Sequence, residues 1–416
     1  MREVPPESHV NLPDRSGDAN RSMPASPQFS TDHFALRLGL FYAAYFLFGG
    51  VQLPFFPLWL EARGLDPGTI GIVIAVPTLV RILITPVIAH QADRHRALKG
   101  ALVSGAIVGL GAMTLVAIAP GPLAILATFT LAMAALAPML SLSDAYALNG
   151  LGARGRAYGP VRLWGSVAFI AGNVGAGVML QSIAPGNLIW LIVASLVAVA
   201  AAAIALRPVE PVRGPQEAGR PSPSVLLRDP TFLAVALAAS LIQGSHALYY
   251  GFSTLHWRAG GLDGGTIGVL WGLGVGAEIV LFALSARLPA ALRPTTLLAL
   301  GGIGALLRWA AMALDPPTAL LPFLQLLHAA SFGAAHLGAM GYLARAVPRG
   351  LSATAQGVLA TLGGIVNAAA TAASGMVYAS AGSAAYFVMA GMALLGCACA
   401  LWAHRRWGRR PQVQPQ

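Results

Sequence analysis

The chain has 416 residues, of which 56% are hydrophobic and 10% charged, and it carries a formal net charge of +11. A soluble globular protein carries about a quarter charged residues, so this composition excludes an ordinary soluble domain and reads as a polytopic membrane protein. The basic excess then marks topology and not nucleic-acid binding.

In chain order, residues 1–35 are mixed in charge, contain proline and lack the apolar core of a signal peptide, so they are expected to form a disordered cytoplasmic tail. Apolar runs long enough to cross a hydrocarbon core of about 30 Å then recur to the end. Twelve spans are expected, at 36–59, 68–90, 98–118, 122–146, 160–182, 186–206, 231–256, 265–286, 295–314, 318–344, 353–379 and 383–403. They divide into an N-terminal six-helix bundle over 36–206 and a C-terminal one over 231–403, with a polar, proline-rich cytoplasmic linker at 207–230 and a basic tail at 404–416. Arginines gather in the tails, the linker and alternate loops, for example Arg94, Arg154, Arg156 and Arg345, whereas the opposite loops hold Arg63 and Arg258. The positive-inside rule then places both termini in the cytoplasm.

The first span, "FYAAYFLFGGVQLPFFPLWL", carries Tyr42, Tyr45 and Gln52 at depths where lipid contact would favour aliphatic side chains, which suggests that they face a cavity. Pro54, Pro57, Pro77, Pro86 and Pro138 suggest bends. The second span holds Arg81, a permanent charge among Val80, Ile82, Leu83 and Ile84. Such a group costs about 2.5–3.5 kcal/mol at a helix centre on insertion scales, so it should face a partner or a wet cavity. Asp144 closes the fourth span and Arg162 opens the fifth, which brings opposite charges to one level and predicts a pair, structural or substrate-binding.

A repeat links the halves. "GLDPGTIG" at 64–71 returns as "GLDGGTIG" at 261–268, an offset of 197 residues. The chain is a duplication, with the halves as parallel repeats about an axis along the membrane normal. Moved by the same offset, Arg81 lands on Glu278 in the eighth span, which points to a cation and an anion in equivalent helices. A weaker echo matches Asn173 to Asn367 among small residues, where interhelical hydrogen bonding is the plainer reading.

The seventh span adds Gln243, His246 and Tyr249, the ninth Arg308, and the tenth Gln325, His328 and His336. The two histidines differ by eight residues and should lie roughly on one helix face. With Glu278 and Arg308 they supply groups that change protonation near neutral pH. Cys397 and Cys399 point to different faces of the last helix, so neither a disulfide nor a metal site is expected. No catalytic motif is visible, and no cofactor is expected.

The duplication, the loop "AHQADRHRALK" and the segment "GRAYGPVRLWGSVAFI", with "LHAASFGAAHLGAMGYLA" and "SATAQG", resemble major facilitator transporters of the 3-phenylpropionate permease type, distant relatives of lactose permease and the nucleoside/proton symporters. The likeness covers about residues 34–402 and implies an all-helical membrane fold of two six-helix repeats. It also implies alternating-access, proton-coupled uptake of a small organic solute, most simply an aromatic carboxylate, by a monomer in a bacterial inner membrane. Export by proton antiport and sugar or nucleoside symport remain open. The resemblance implies proton coupling by Glu278, Arg308 and His328, substrate contact by Asp144 and Arg162, and gating by Asp93 and Arg94. Ala89 stands where the loop signature has glycine, and Ser331 where lactose permease has a glutamate, which would shift the principal proton acceptor, to Glu278 for example.

Overall fold

The computed structural model describes residues 33–95, 97–209, 224–289, 292–348 and 350–407. Most of the expected N-terminal tail, of the linker and of the basic C-terminal tail lies outside them. Apolar runs of membrane length satisfy their own backbone only as helices, and among the described residues no strand occurs. Before the linker come α1 (Phe34–Ala62), α2 (Pro67–Arg94), α3 (Leu98–Ile118), the pair α4 and α5 (Pro122–Leu136 and Met139–Gly152), α6 (Tyr158–Met179) and α7 (Leu188–Ala205). After it come a short α8 (Ser224–Leu227), the pair α9 and α10 (Pro230–Gly244 and Ala247–Ala259), α11 (Gly264–Leu284) and α12 (Pro294–Ala313). Then follow α13 (Leu321–Leu326) and α14 (Ala335–Ala346), joined through a π-helical turn at Ala329–Ala334, and finally α15 (Ser352–Ala381) and α16 (Tyr386–Trp407).

Among the described residues eleven stretches are long and apolar enough to cross a membrane, and the last, Ser352–Trp407, runs for 56 residues. Gly382, at φ 54°, turns that stretch back on itself to give α15 and α16. The twelve expected spans thus correspond to eleven continuous apolar stretches.

The breaks have local causes, and only one is a proline the sequence singled out. Pro138 separates α4 from α5, whereas Pro54, Pro57, Pro77 and Pro86 sit inside α1 and α2 without ending them. The break between α9 and α10 has no proline. There the Ser245 hydroxyl donates to the Ile242 carbonyl at 2.6 Å, and the His246 ring nitrogen Nδ1 contacts the same oxygen at 3.1 Å. Two side chains claim a carbonyl that the helix would otherwise use, a known way to interrupt the backbone ladder.

The sequence repeat is a structural one. Gly64 and Gly261 take φ values of 81° and 90°, which suit glycine, and Asp66 and Asp263 follow as helix N-caps. Asp66 accepts from the Thr69 amide at 3.0 Å and the Thr69 hydroxyl at 2.5 Å; Asp263 does the same with Thr266, at 3.0 and 2.6 Å. These bonds, led by the threonine hydroxyl in each case, hold both carboxyls below the usual aspartate range, that of Asp263 at about 2.

From these caps the second helix of each half packs on the fifth helix of the other, α2 on α15 and α11 on α6. Small residues make the approach possible. A Cβ on Gly71 would lie 3.0 Å from the Thr371 carbonyl oxygen, and one on Gly177 would strike the Gly264 carbonyl. Gln181 Nε2 donates to Asp263 Oδ1 at 3.1 Å across the second seam. The halves are therefore closed together at the end remote from the chain termini. Asn173, fully buried in this seam, has no partner for either side-chain amide atom among the described residues, so the interhelical hydrogen bond expected there is not formed among them.

Candidate functional site

The C-terminal half gathers its polar residues into one buried chain. Arg308, fully buried on α12, donates through Nη2 to Gln325 Oε1 at 2.7 Å and sits 3.0 Å from His328 Nδ1 through Nη1. A guanidinium has only donors, so His328 Nδ1 must accept and its remaining proton lies on Nε2. That Nε2 is 3.4 Å from Glu278 Oε2. Glu278 and Arg308 are thus bridged through an imidazole, and the Arg81–Glu278 charge pair to which the repeat pointed is absent among the described residues. Tyr249 donates to the same Gln325 oxygen at 2.9 Å and places its ring 4.5 Å from the guanidinium carbon, with Trp309 at 4.6 Å on α12 itself.

A second branch leaves Arg308 through Ser331. Nη1 lies 3.4 Å from the Ser331 hydroxyl oxygen, which is 3.1 Å from His246 Nε2. The Ile242 carbonyl can only accept, so His246 carries its proton on Nδ1, and its Nε2 accepts from Ser331. Both histidines are thereby held in one tautomer each. Arg308 Nε and Gln325 Nε2 have no partner among the described residues although both are buried, leaving two donors within the cluster unused.

The N-terminal half is arranged differently. Asp144 Oδ1 accepts from the Tyr42 hydroxyl at 2.6 Å and the Tyr158 hydroxyl at 2.8 Å. The expected Asp144–Arg162 ion pair is absent among the described residues. Arg162 instead lies over the Phe46 ring, 3.9 Å from its centroid, with Tyr42 at 5.5 Å. Two hydroxyls already satisfy the carboxylate, and the ring face accommodates the cation. Tyr45 stacks on Phe41 at 6.3 Å, packs edge-on to Phe46 at 5.7 Å, and lies within electrostatic reach of both Arg81 and Arg162. Arg81 is exposed on α2, and Gln52 and Gln243 are half-buried on α1 and α9.

The structure therefore brings Glu278, Arg308, His328, Gln325, Tyr249 and His246 into one cluster and Tyr45, Arg81, Asp144 and Arg162 near one another in a second. His336 lies beside Glu278, within its electrostatic reach and exposed. Arg94 is exposed at the end of α2; the side chain of Asp93 lies outside the described residues. Tyr42, expected to face a cavity, is bonded to Asp144, and Phe46 and Tyr158 were not anticipated as site residues. Their signal was faint, because an aromatic near a span end is ordinary membrane composition. A cavity of about 180 Å³, lined by His256, Trp257 and Asp315 among others, holds none of the anticipated residues.

A helical bundle of membrane length, built as a duplicated pair of repeats around buried charges, defines a solute carrier. The chain matches the MFS_1 like family over residues 35–389 and belongs to that family. It is 32% identical over 371 residues to an Escherichia coli K12 protein named a probable 3-phenylpropionic acid transporter, covering 86% of this chain and 94% of that one. It is 28% identical over 331 residues to a maltose permease of Geobacillus stearothermophilus, with coverages of 78% and 82%. The nucleoside transporter NupG, in a mutant form, superposes with a TM-score of 0.77 at 14% identity, covering 89% of this chain and 99% of that one. A bacterial homologue of the lysosomal transporter Spinster, inward-facing and unoccupied, gives 0.70 at 14% identity, with coverages of 90% and 96%. The protein is a multi-pass membrane transporter of the major facilitator kind and not an enzyme.

Proposed function

We propose that the protein carries a small aromatic carboxylate, such as 3-phenylpropionate, together with a proton into a bacterial cell across the inner membrane, with both termini cytoplasmic. The observation that carries this reading is the Glu278–His328–Arg308 chain, in which a buried carboxylate and guanidinium share one imidazole. When Glu278 is anionic, the His328 N–H is drawn to it and Arg308 is held against Nδ1. Protonation of Glu278 removes the anion from this chain and leaves Arg308 the stronger attractor for a substrate carboxylate. Arg308 Nε and Gln325 Nε2 are the unused donors for it.

In the other half, Arg162 and Arg81 supply further positive charge beside an aromatic bed of Tyr42, Tyr45 and Phe46. The name of the E. coli relative supports the same cargo class. The two bundles, 36–206 and 231–403, rock against one another about the site, and the state seen here, closed remote from the termini, faces the cytoplasm. One proton carried with one monocarboxylate moves no net charge. A membrane potential of about 100 mV, worth about 2.3 kcal/mol per charge, then contributes nothing, and the pH gradient drives uptake.

The maltose permease relative supports a sugar as the second candidate cargo. Both are tested by following external pH in a weakly buffered suspension of de-energised cells after adding 3-phenylpropionate or maltose. The expected outcome is alkalinisation with the aromatic acid in wild-type cells and none with Glu278→Gln. Alkalinisation with maltose alone would transfer the assignment to the sugar, and no response to either would remove proton symport of both.

A further inference from the structure

The tenth span departs from α-helix at Ala329–Ala334, between its two histidines. Eight residues of α-helix would turn His336 about 80° from His328. A π turn advances less per residue, about 4.4 residues completing a turn, and over this segment it restores His336 to within about 30° of His328. The rings of His328, Phe332 and His336 accordingly stack in line, with centroid separations of 5.2 and 6.4 Å. Glu278 faces this row from α11, 3.4 Å from His328 and within electrostatic reach of His336.

The two histidines cannot do the same work. His328 has Arg308 against Nδ1 and Glu278 against Nε2, so a proton added at Nδ1 would point one N–H at another. Its side chain is also only 7% exposed. His246 is committed in the same way, by Ile242 and Ser331. Neither ring can pick up a proton from water and pass it on while these bonds hold. His336 is different, since it is exposed and has no hydrogen-bond partner among the described residues. Glu278, Phe282 on α11 and Phe332 face it, with Ser240 and Gln243 of α9 and Leu359 of α15 across a small cavity; Glu278 is the charged group among them.

That cavity holds about 80 Å³, enough for more than one water. Ser240 and Gln243 are the polar side chains that line it beside His336.

We infer that His336 is the port through which Glu278 exchanges its proton with water in the open cavity. The inference rests on the symport reading above and assigns its proton path. Hydronium in the cavity protonates the free ring nitrogen of neutral His336 and becomes water. The imidazolium gives the N–H proton on the Glu278 side to the carboxylate through intervening water. His336 is left neutral with its proton on the other nitrogen, and exchange with water restores the first tautomer. Unloading runs the same steps backwards.

The test measures the rate of 3-phenylpropionate-driven alkalinisation by wild type, His336→Ala, His336→Gln and Glu278→Gln, from about pH 5.5 to 7.5, the range in which imidazole titrates. Both His336 variants are expected to slow proton entry about tenfold, less than the hundredfold or more a placed proton-transfer group can contribute, because reorientation shares control of the rate. Added imidazole should restore the alanine variant in proportion to its concentration, which a packing role would not allow. Wild-type rates and an unchanged pH profile in both variants would overturn the port while leaving symport in place. A slow alanine variant that imidazole does not restore would overturn it as well. No alkalinisation by wild type would remove the symport reading itself, and the port with it.

Discussion

Ser331 sits where Arg308 and His246 meet, and its single hydroxyl serves both. It accepts from the guanidinium and donates to the ring nitrogen. Ser331→Ala should leave a fully buried imidazole nitrogen without a donor, at a cost of about 1–3 kcal/mol. That loss is read as a lower midpoint of thermal unfolding in detergent, and Ser331→Thr should recover most of it. Arg308→Lys tests the fork geometry. A lysine cannot reach Gln325 and His328 together as the planar group does, so uptake of 3-phenylpropionate should fall at least about tenfold with normal membrane insertion; uptake at the wild-type rate would sink the role given to Arg308. Glu278, Arg308 and His328 were legible in the sequence because a charge or a polar ring in an apolar span is costly and therefore conspicuous. Their partners were not. Whether Asp144 meets Arg162 or two tyrosines depends on the rotation of three helices, α1, α5 and α6, which no local pattern records.

At the level of the element, hydropathy and the caps made most helix boundaries readable, and the repeated glycine and aspartate correctly marked the start of the second helix in each half. The interruptions were harder. The break at Ser245 arises where two side chains claim one carbonyl, and no proline marks either it or the π turn, while four prolines elsewhere are absorbed without a break. The seam between α6 and α11 gives an element-scale prediction. Gly177→Leu would force a side chain into the Gly264 carbonyl, so the end remote from the termini should be held apart. Spin labels placed across that end should show a longer mean distance than in wild type, and transport should fall at least about tenfold. An unchanged distance would mean that the seam yields elsewhere.

Across the whole molecule, the two caps are alike but not equivalent. The Asp263 carboxyl is held at about 2 by Thr266, against a free value of 3.8. Its contribution to stability is therefore present above about pH 4 and is lost as the pH falls through 2. Asp263→Asn should flatten that part of the pH dependence of unfolding in detergent, and an unaltered profile would show that the cap is not what titrates. Asp263 also holds Gln181 of the opposite half, whereas Asp66 has no partner across its own seam among the described residues. Two seals of the same ancestry thus differ by one bond. On the proposed reading, the doorway opens first along α2 and α15, the side without the bolt, and an arriving anion enters past α2. Arg81, exposed on that helix, would then be a cation it passes on the way to the buried Arg308, a receptionist for that guanidinium, and its replacement should slow capture from dilute solution while leaving the rate at saturation nearly intact.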